Sequence, residues 1–235
     1  MSPNISEYDF IEYLKSMEER KGDNPRFLTL QKLNTELGIS VSRLREQMEV
    51  ARAFGFIDVR PKKGIQRLPY TFYPAAHRSL SFALALDLTY FEAFSDLRRH
   101  IEAAYWHQAV SKLTADDQKV LRGLIERAWE KLRGTPIQIP QVEHRELHLL
   151  IFRRLDNPFV LGILETYWDA YEEVGLNLYA DYDYLHEVWG YHEKMVESIC
   201  SGDSDLGYEA LLEHTDLLYH RVDRNSEGEN VITYG

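Results

Sequence analysis

Cysteine is nearly absent from this chain: Cys200 is the only one among 235 residues. An internal disulfide framework is therefore excluded, and the usage fits a reducing compartment, the cytoplasm. No apolar run reaches the roughly 18 residues that would span a bilayer, so no membrane contact is expected. The opening residues, MSPNISEYDF, have neither the basic nor the apolar stretch of an export signal. No internal repeat is visible. Positive charge is scarce too, with 27 Lys and Arg against 38 Asp and Glu, a net of −11. At first sight that argues against a polyanionic partner.

The average conceals an asymmetry. Residues 1–70 hold 12 basic and 10 acidic side chains, a net of +2, whereas residues 71–235 hold 15 and 28, a net of −13. Between residues 26 and 67 the balance is 9 against 4, or +5. Attraction to phosphate is screened beyond about 8 Å at physiological salt, so the local sign decides. The first third of the chain is suited to nucleic acid, and the acidic remainder would be kept off it.

Hydrophobic periodicity divides the chain in the same place. Ile5–Arg20 carries Phe10, Ile11, Leu14 and Met17 at helical spacing. After a polar break over Lys21–Arg26 come two helical stretches, Leu28–Leu37 and Val41–Phe54, joined by a turn at Gly38 with Ser40 placed to cap the second. That is a helix-turn-helix pattern, with Leu30, Leu33, Leu37, Ile39, Leu44 and Met48 as its small core. FIDVRPKKGIQRL then reads as a two-stranded wing turning at Pro61–Gly64. We expect a winged helix-turn-helix domain over 1–69, a linker over 70–79, an all-α antiparallel helical bundle over 80–222 and a flexible tail over 223–235. The predicted bundle helices are about 79–86, 89–112, 115–133, 140–154, 157–176, 182–201 and 204–222. Capping-box patterns start two of them, Thr89 with Glu92 and Thr114 with Asp117, and Asn157–Pro158 breaks another pair. The fold class is mostly α with a small β wing.

The second helix of a helix-turn-helix enters the major groove and reads base edges from its first turn. Here that turn offers Ser40, Ser42, Arg43 and Arg45, while Lys62, Lys63 and Gly64 form the wing tip. Arginine pairs bidentately with guanine, serine holds phosphate or a base edge, and lysine contacts backbone. A plain helical hairpin with solvated arginines would show the same features. The run LGISVSRLREQMEVARAFGF followed by RPKKG resembles the winged helix of GntR-family regulators, through Gly38-Ile39-Ser40, Leu44-Arg45-Glu46, Met48, Gly55-Phe56 and Gly64. The resemblance implies a double-stranded DNA operator, an inverted repeat read by a homodimer. One departure stands out: the family usually has arginine straight after the serine, where this chain has Val41 and an extra Arg43. Half-site sequence is therefore not carried over from relatives.

Histidine supplies the second signal. His144 and His148 are one helical turn apart and project from one face, a spacing that can chelate a metal. His192 and His214 lie on later helices. By spacing alone a polar core is the better reading, since a pair four apart arises readily by chance among nine histidines. Residues 80 to 222 are similar to the effector domain of the FadR subgroup (FCD-type) of GntR regulators. The landmarks run in order: Leu97-Arg98 with Glu102, the His144–His148 helix, Asn157-Pro158, His192 with Gly202-Asp203, and Ala210 with His214. In many relatives these positions hold one Asp and three His around a divalent metal, so the resemblance implies His144, His148, His192 and His214 as metal ligands, with His144 in the aspartate's place. Four neutral imidazoles suit Zn or Ni better than Mg, Ca or Mn and leave the ion's charge uncompensated. Such a site favours an anion, and Arg98, which faces the cavity in relatives, would clamp a small carboxylate effector.

The reading that follows is a transcriptional regulator, not an enzyme, whose operator affinity responds to that effector. One alternative is a metal-free regulator sensing an acyl thioester or other apolar ligand, for which the aromatic run Tyr167, Trp168, Tyr171, Tyr179, Tyr182, Tyr184 and Trp189 offers a lining. A third is a DNA-binding protein with a dry bundle. A metal-dependent hydrolase would need a general base, and Glu143, Glu146 and Glu193 are near, but no HExxH pattern aims one at the metal.

Overall fold

The computed structural model describes residues 9–17, 27–174 and 182–227, with side chains up to Leu217. The fold is mostly helical with one small antiparallel sheet. The chain separates into two compact units, Met1–Ser79 and Leu80–Gly235.

The N-terminal unit contains α1 (Asp9–Ser16), β1 (Phe27–Leu28), α2 (Leu30–Leu37), α3 (Val41–Ala53), β2 (Ile57–Arg60) and β3 (Gly64–Arg67). Local chemistry sets the helix-turn-helix. Thr29 accepts from the Lys32 amide to start α2, Gly38 ends it in the left-handed region, and Ser40 accepts from the Arg43 amide to start α3. Asn34 braces the turn by donating to the Ile39 carbonyl at 2.6 Å. Gln47 Oε1, buried on α3, accepts from the Phe10 amide at 2.7 Å and ties α1 to the pair. Leu33, Ile39, Leu44 and Met48 are buried with Phe10, Leu14, Leu28, Ala51, Ile57 and Ile65, while Leu30 and Leu37 pack at the edge.

Two expectations change here. Residues 27–28 do not begin α2 but pair antiparallel with Gln66 and Ile65, so the wing has three strands in the order β1-β3-β2. Gly64 makes that possible: at φ 112° a Cβ would sit 2.5 Å from the Leu28 carbonyl oxygen. The first helix is described only from Asp9, and the flanks expected over 5–8 and 18–20, like the polar break over 21–26, lie outside the described residues.

The C-terminal helices are α4 (Tyr73–Leu86, which begins within the first unit), α5 (Tyr90–Val110), α6 (Ala115–Arg133), α7 (Gln141–Phe152), α8 (Pro158–Glu173), α9 (Tyr182–Ser201) and α10 (Ser204–Glu227). The segment expected as a linker over 70–79 is helical from Tyr73; Pro74 sits in the first turn, where its missing N–H costs nothing. The expected tail from 223 is helical to Glu227, and 228–235 lie outside the described residues. Thr89 makes no side-chain cap, and its amide donates instead to Asp87 Oδ1 at 2.9 Å. Thr114 and Asp117 form the full capping box, and Asn157 accepts from the Phe159 and Val160 amides. Asp117 also takes Arg153 and Arg154 from the end of α7, and the Arg154 hydrogen bond leads in holding its carboxyl well below the usual range.

Trp106, Leu121, Leu124, Ile151, Leu164, Trp189 and Met195 lie at the centre of the main apolar cluster of this unit. α10 approaches α5 closely: a Cβ on Gly207 would meet the Trp106 ring at 2.8 Å, and the indole N–H donates to the Ser204 carbonyl at 2.9 Å. A second cluster joins Leu80, Leu84 and Phe91 to Tyr167, Trp168 and Tyr171.

Candidate functional site

Between α5, α7, α8, α9 and α10 the core turns polar. His144 and His148, one turn apart on α7, meet His192 from α9 and His214 from α10, and one ring nitrogen from each lies within 4.8 Å of the others. His148, His192 and His214 are buried and His144 is half-buried. Nε2 of His148 and Nε2 of His192 are 3.0 Å apart, and the His192 and His214 ring centres are 4.2 Å apart. Trp168 closes one side, its ring 4.6 Å from that of His144.

Burial holds all four imidazoles well below their ordinary value of 6.5; the neighbouring histidines and the Arg98 cation push the same way. They are therefore neutral at pH 7 and keep a lone pair each. His144 Nε2, His192 Nδ1 and His214 Nδ1 are buried without a hydrogen-bond partner. Leaving a buried polar atom unsatisfied costs about 1–3 kcal/mol, so three in one place call for an occupant. A four-coordinate ion with 2.0–2.1 Å bonds to nitrogen sets its ligands about 3.4 Å apart. One pair lies at 3.0 Å and the rest within 4.8 Å, so the rings would shift by up to about 1.4 Å to reach that spacing. The residues fit a nitrogen-ligated divalent transition metal, bonded to one nitrogen of each ring.

Arg98 and Glu102, one turn apart on α5, lie against this cluster, both buried. Arg98 Nη2 is 2.7 Å from Glu102 Oε2 and 2.9 Å from His148 Nδ1, and its guanidinium lies 4.8 Å over the Tyr167 ring. Glu102 Oε1 is 3.2 Å from the same His148 Nδ1. Burial raises the Glu102 carboxyl, and the Arg98 charge opposes that rise. A carboxylate thus lies beside the cluster, but it is paired with Arg98, and the two together add no net charge. In the sequence Glu102 was visible only as a landmark four residues after Arg98.

A narrow cleft of about 20 Å³, room for little more than one water, reaches His144 between Ile139, Gln141, Tyr171, Tyr184, Val188 and Trp189. Arg98 does not line it. Tyr167 and Trp168 are core, Tyr182 is exposed, and Tyr179 lies outside the described residues. Glu143 is bound to Lys131 at 2.7 Å and Glu146 lies 3.9 Å from Arg127, so both face α6. Glu193 is the neighbour of His192 on α9, and successive helical side chains diverge by about 100°. None supplies a general base.

On the N-terminal unit, Ser42 and Arg45 are exposed on the first turns of α3, and Arg43 is half-buried. Ser40 is exposed, with its oxygen used as the cap. Lys62 and Lys63 stand exposed at the β2–β3 turn, Lys62 at φ 63°. Gly64 serves the backbone, at the close approach to β1.

Residues 93–217 match the FCD domain family, more than half of the chain, and the chain belongs to that family. Solved structures place the fold. Streptococcus agalactiae GntR is similar with a TM-score of 0.67 at 15% identity, over 92% of this chain and 98% of that one. E. coli McbR/YncC is similar with a TM-score of 0.50 at 18% identity, over 87% and 90%. A sequence comparison with curated proteins gives no significant match. The protein therefore carries an FCD domain and has the fold seen in these GntR structures. Among the described residues no helix is long and apolar enough to cross a membrane.

Proposed function

We propose that this chain is a transcriptional regulator of the FadR subgroup, dimeric on an inverted-repeat operator, whose DNA affinity is set by a small carboxylate at a histidine-held transition metal. The observation that carries the metal reading is the convergence of four neutral imidazoles with three buried nitrogens unpartnered. His144, His148, His192 and His214 would hold Zn or Ni, and the ion would supply a Lewis-acidic position for an anion. The carboxylate would approach along the cleft at His144, which has to widen, and Arg98 would receive it once released from His148. On the DNA side Ser42, Arg43 and Arg45 would read the major groove, with Lys62 and Lys63 on the backbone.

Elemental analysis of untagged protein, paired with melting curves with and without chelator, tests the metal. Stoichiometric Zn or Ni and a melting point that falls on chelation are expected. Absence of both would remove the metal from the proposal. Gel-shift titration with di- and hydroxycarboxylates tests the rest: operator affinity unchanged by every ligand would remove the sensing role. A metal-free sensor of an acyl thioester has the apolar wall of the cleft in its favour and the unpartnered nitrogens against it.

A further inference from the structure

The polar contacts around His148 contain a conflict. Its Nδ1 lies 2.9 Å from Arg98 Nη2, which can only donate, and 3.2 Å from Glu102 Oε1, which as a carboxylate can only accept. One ring nitrogen cannot serve both. When Arg98 donates, Nδ1 is the bare nitrogen and the hydrogen sits on Nε2, directed at His192 Nε2 3.0 Å away. In that tautomer Nε2 has no lone pair to give an ion. When Nδ1 carries the hydrogen and donates to Glu102, Nε2 faces the other histidines bare.

We propose that Glu102 is the positioning residue of the metal centre: it takes the Nδ1–H of His148 and so commits Nε2 to the ion. This rests on the metal reading above. Arg98 is the competitor. Metal loading moves one proton across the His148 ring, from Nε2 to Nδ1 by way of solvent or the neighbouring groups, with no net gain or loss. It also withdraws the acceptor that Arg98 Nη2 uses in the metal-free state. Arg98 stays paired with Glu102 Oε2 through the 2.7 Å contact, while the N–H formerly aimed at His148 becomes available to an anion. Metal and carboxylate then bind in order, metal first.

A ligand that hydrogen-bonds a metal-bound histidine commonly changes metal affinity about 10–100-fold when removed. The test uses full-length, chelator-stripped protein and Zn(II) affinity by competition with a chromophoric chelator. Glu102→Gln is expected to bind Zn(II) 10–100-fold more weakly, and Arg98→Met at least as tightly as the parent, because a cation and a competing donor are gone. Opposite signs are the signature. If Glu102 served only to hold Arg98, both variants would weaken alike. Should Glu102→Gln misfold, the pair Arg98→Met and Arg98→Met/Glu102→Gln makes the same comparison without the ion pair in either member, and equal Zn(II) affinities there overturn the proposal. Nitrogen-15 spectra of the His148 ring give a readout independent of affinity: the proton is expected on Nε2 without metal and on Nδ1 with Zn(II), and an Nε2–H in the loaded protein overturns it. A parent protein that binds no Zn(II), Ni(II) or Co(II) would overturn the metal reading itself, whereas tight binding in the parent with unchanged Glu102→Gln affinity would overturn only the role of Glu102.

Discussion

The two units bury opposite things. The N-terminal core is apolar, ten buried residues from Phe10 to Ile65, with Gln47 beside them paired to a backbone amide. The heart of the C-terminal unit buries Arg98, Glu102, His148, His192 and His214 next to Trp168 and Tyr167. An apolar core is complete once water is excluded, since its stabilisation scales with area and needs no partner. A polar core is complete only when each donor and acceptor is met, and this one leaves three imidazole nitrogens unmet. The contrast teaches that one unit meets its own needs by folding alone, whereas the other leaves nitrogens for the proposed metal to meet.

Withdrawing the metal should break the contrast most strongly. A ligand at a thousand times its Kd stabilises the folded state by about 4 kcal/mol. All four tryptophans, Trp106, Trp129, Trp168 and Trp189, belong to the C-terminal unit, so tryptophan fluorescence follows that unit alone. Its melting point should fall with chelator, while amide exchange in α2 and α3 stays as it was. In the stripped protein the pH dependence has a definite sign. The folded histidines titrate well below 6.5, so the unfolded chain takes up more protons beneath that pH. Stability should hold level above about pH 6.5 and fall as pH drops through and below it. A melting point flat from pH 7.5 to 5 would contradict the buried, neutral histidines.

Leu44→Ala attacks the other side. Removing a fully buried leucine side chain costs about 3 kcal/mol. Denaturant unfolding followed by circular dichroism should show an early transition with the fluorescence transition unmoved, and operator binding should be lost while metal binding persists. Arg45→Ala is milder: exposed on α3, it should leave stability alone and weaken specific operator binding by about 2 kcal/mol in gel shifts, with less effect on random DNA. The smallest of these is Asn157→Ala, which deletes the cap of α8 and should lower the fluorescence-detected stability by about 1 kcal/mol without touching DNA affinity.

What could be read from the sequence followed the range of the interactions. Helix starts at Ser40, Thr114 and Asn157 depend on residues within three positions of themselves, and they are where the pattern put them. β1 was missed because two residues carry no period of their own; their assignment comes from Ile65 and Gln66, nearly forty residues away. The linker expected over 70–79 is helical from Tyr73 because the first turn of a helix accepts proline, here Pro74. At the site, spacing brought His144 and His148 together, and family resemblance added His192 and His214. The contest between Arg98 and Glu102 for His148 depends on how α5 meets α7, which no local pattern encodes. For the same reason the cleft at His144 was not foreseen: its walls come from α7, α8 and α9 together.

Lys62 has a consequence beyond its charge. It stands at φ 63°, in the region a side chain enters at a cost of about 1–2 kcal/mol and glycine enters freely. Lys62→Gly should therefore make the hairpin more stable and, by removing a cation at its tip, a poorer companion for phosphate. Under the proposed DNA-binding role, what is best for standing alone and what is best for holding DNA pull in opposite directions at this one position in the wing, and lysine is the residue that favours holding.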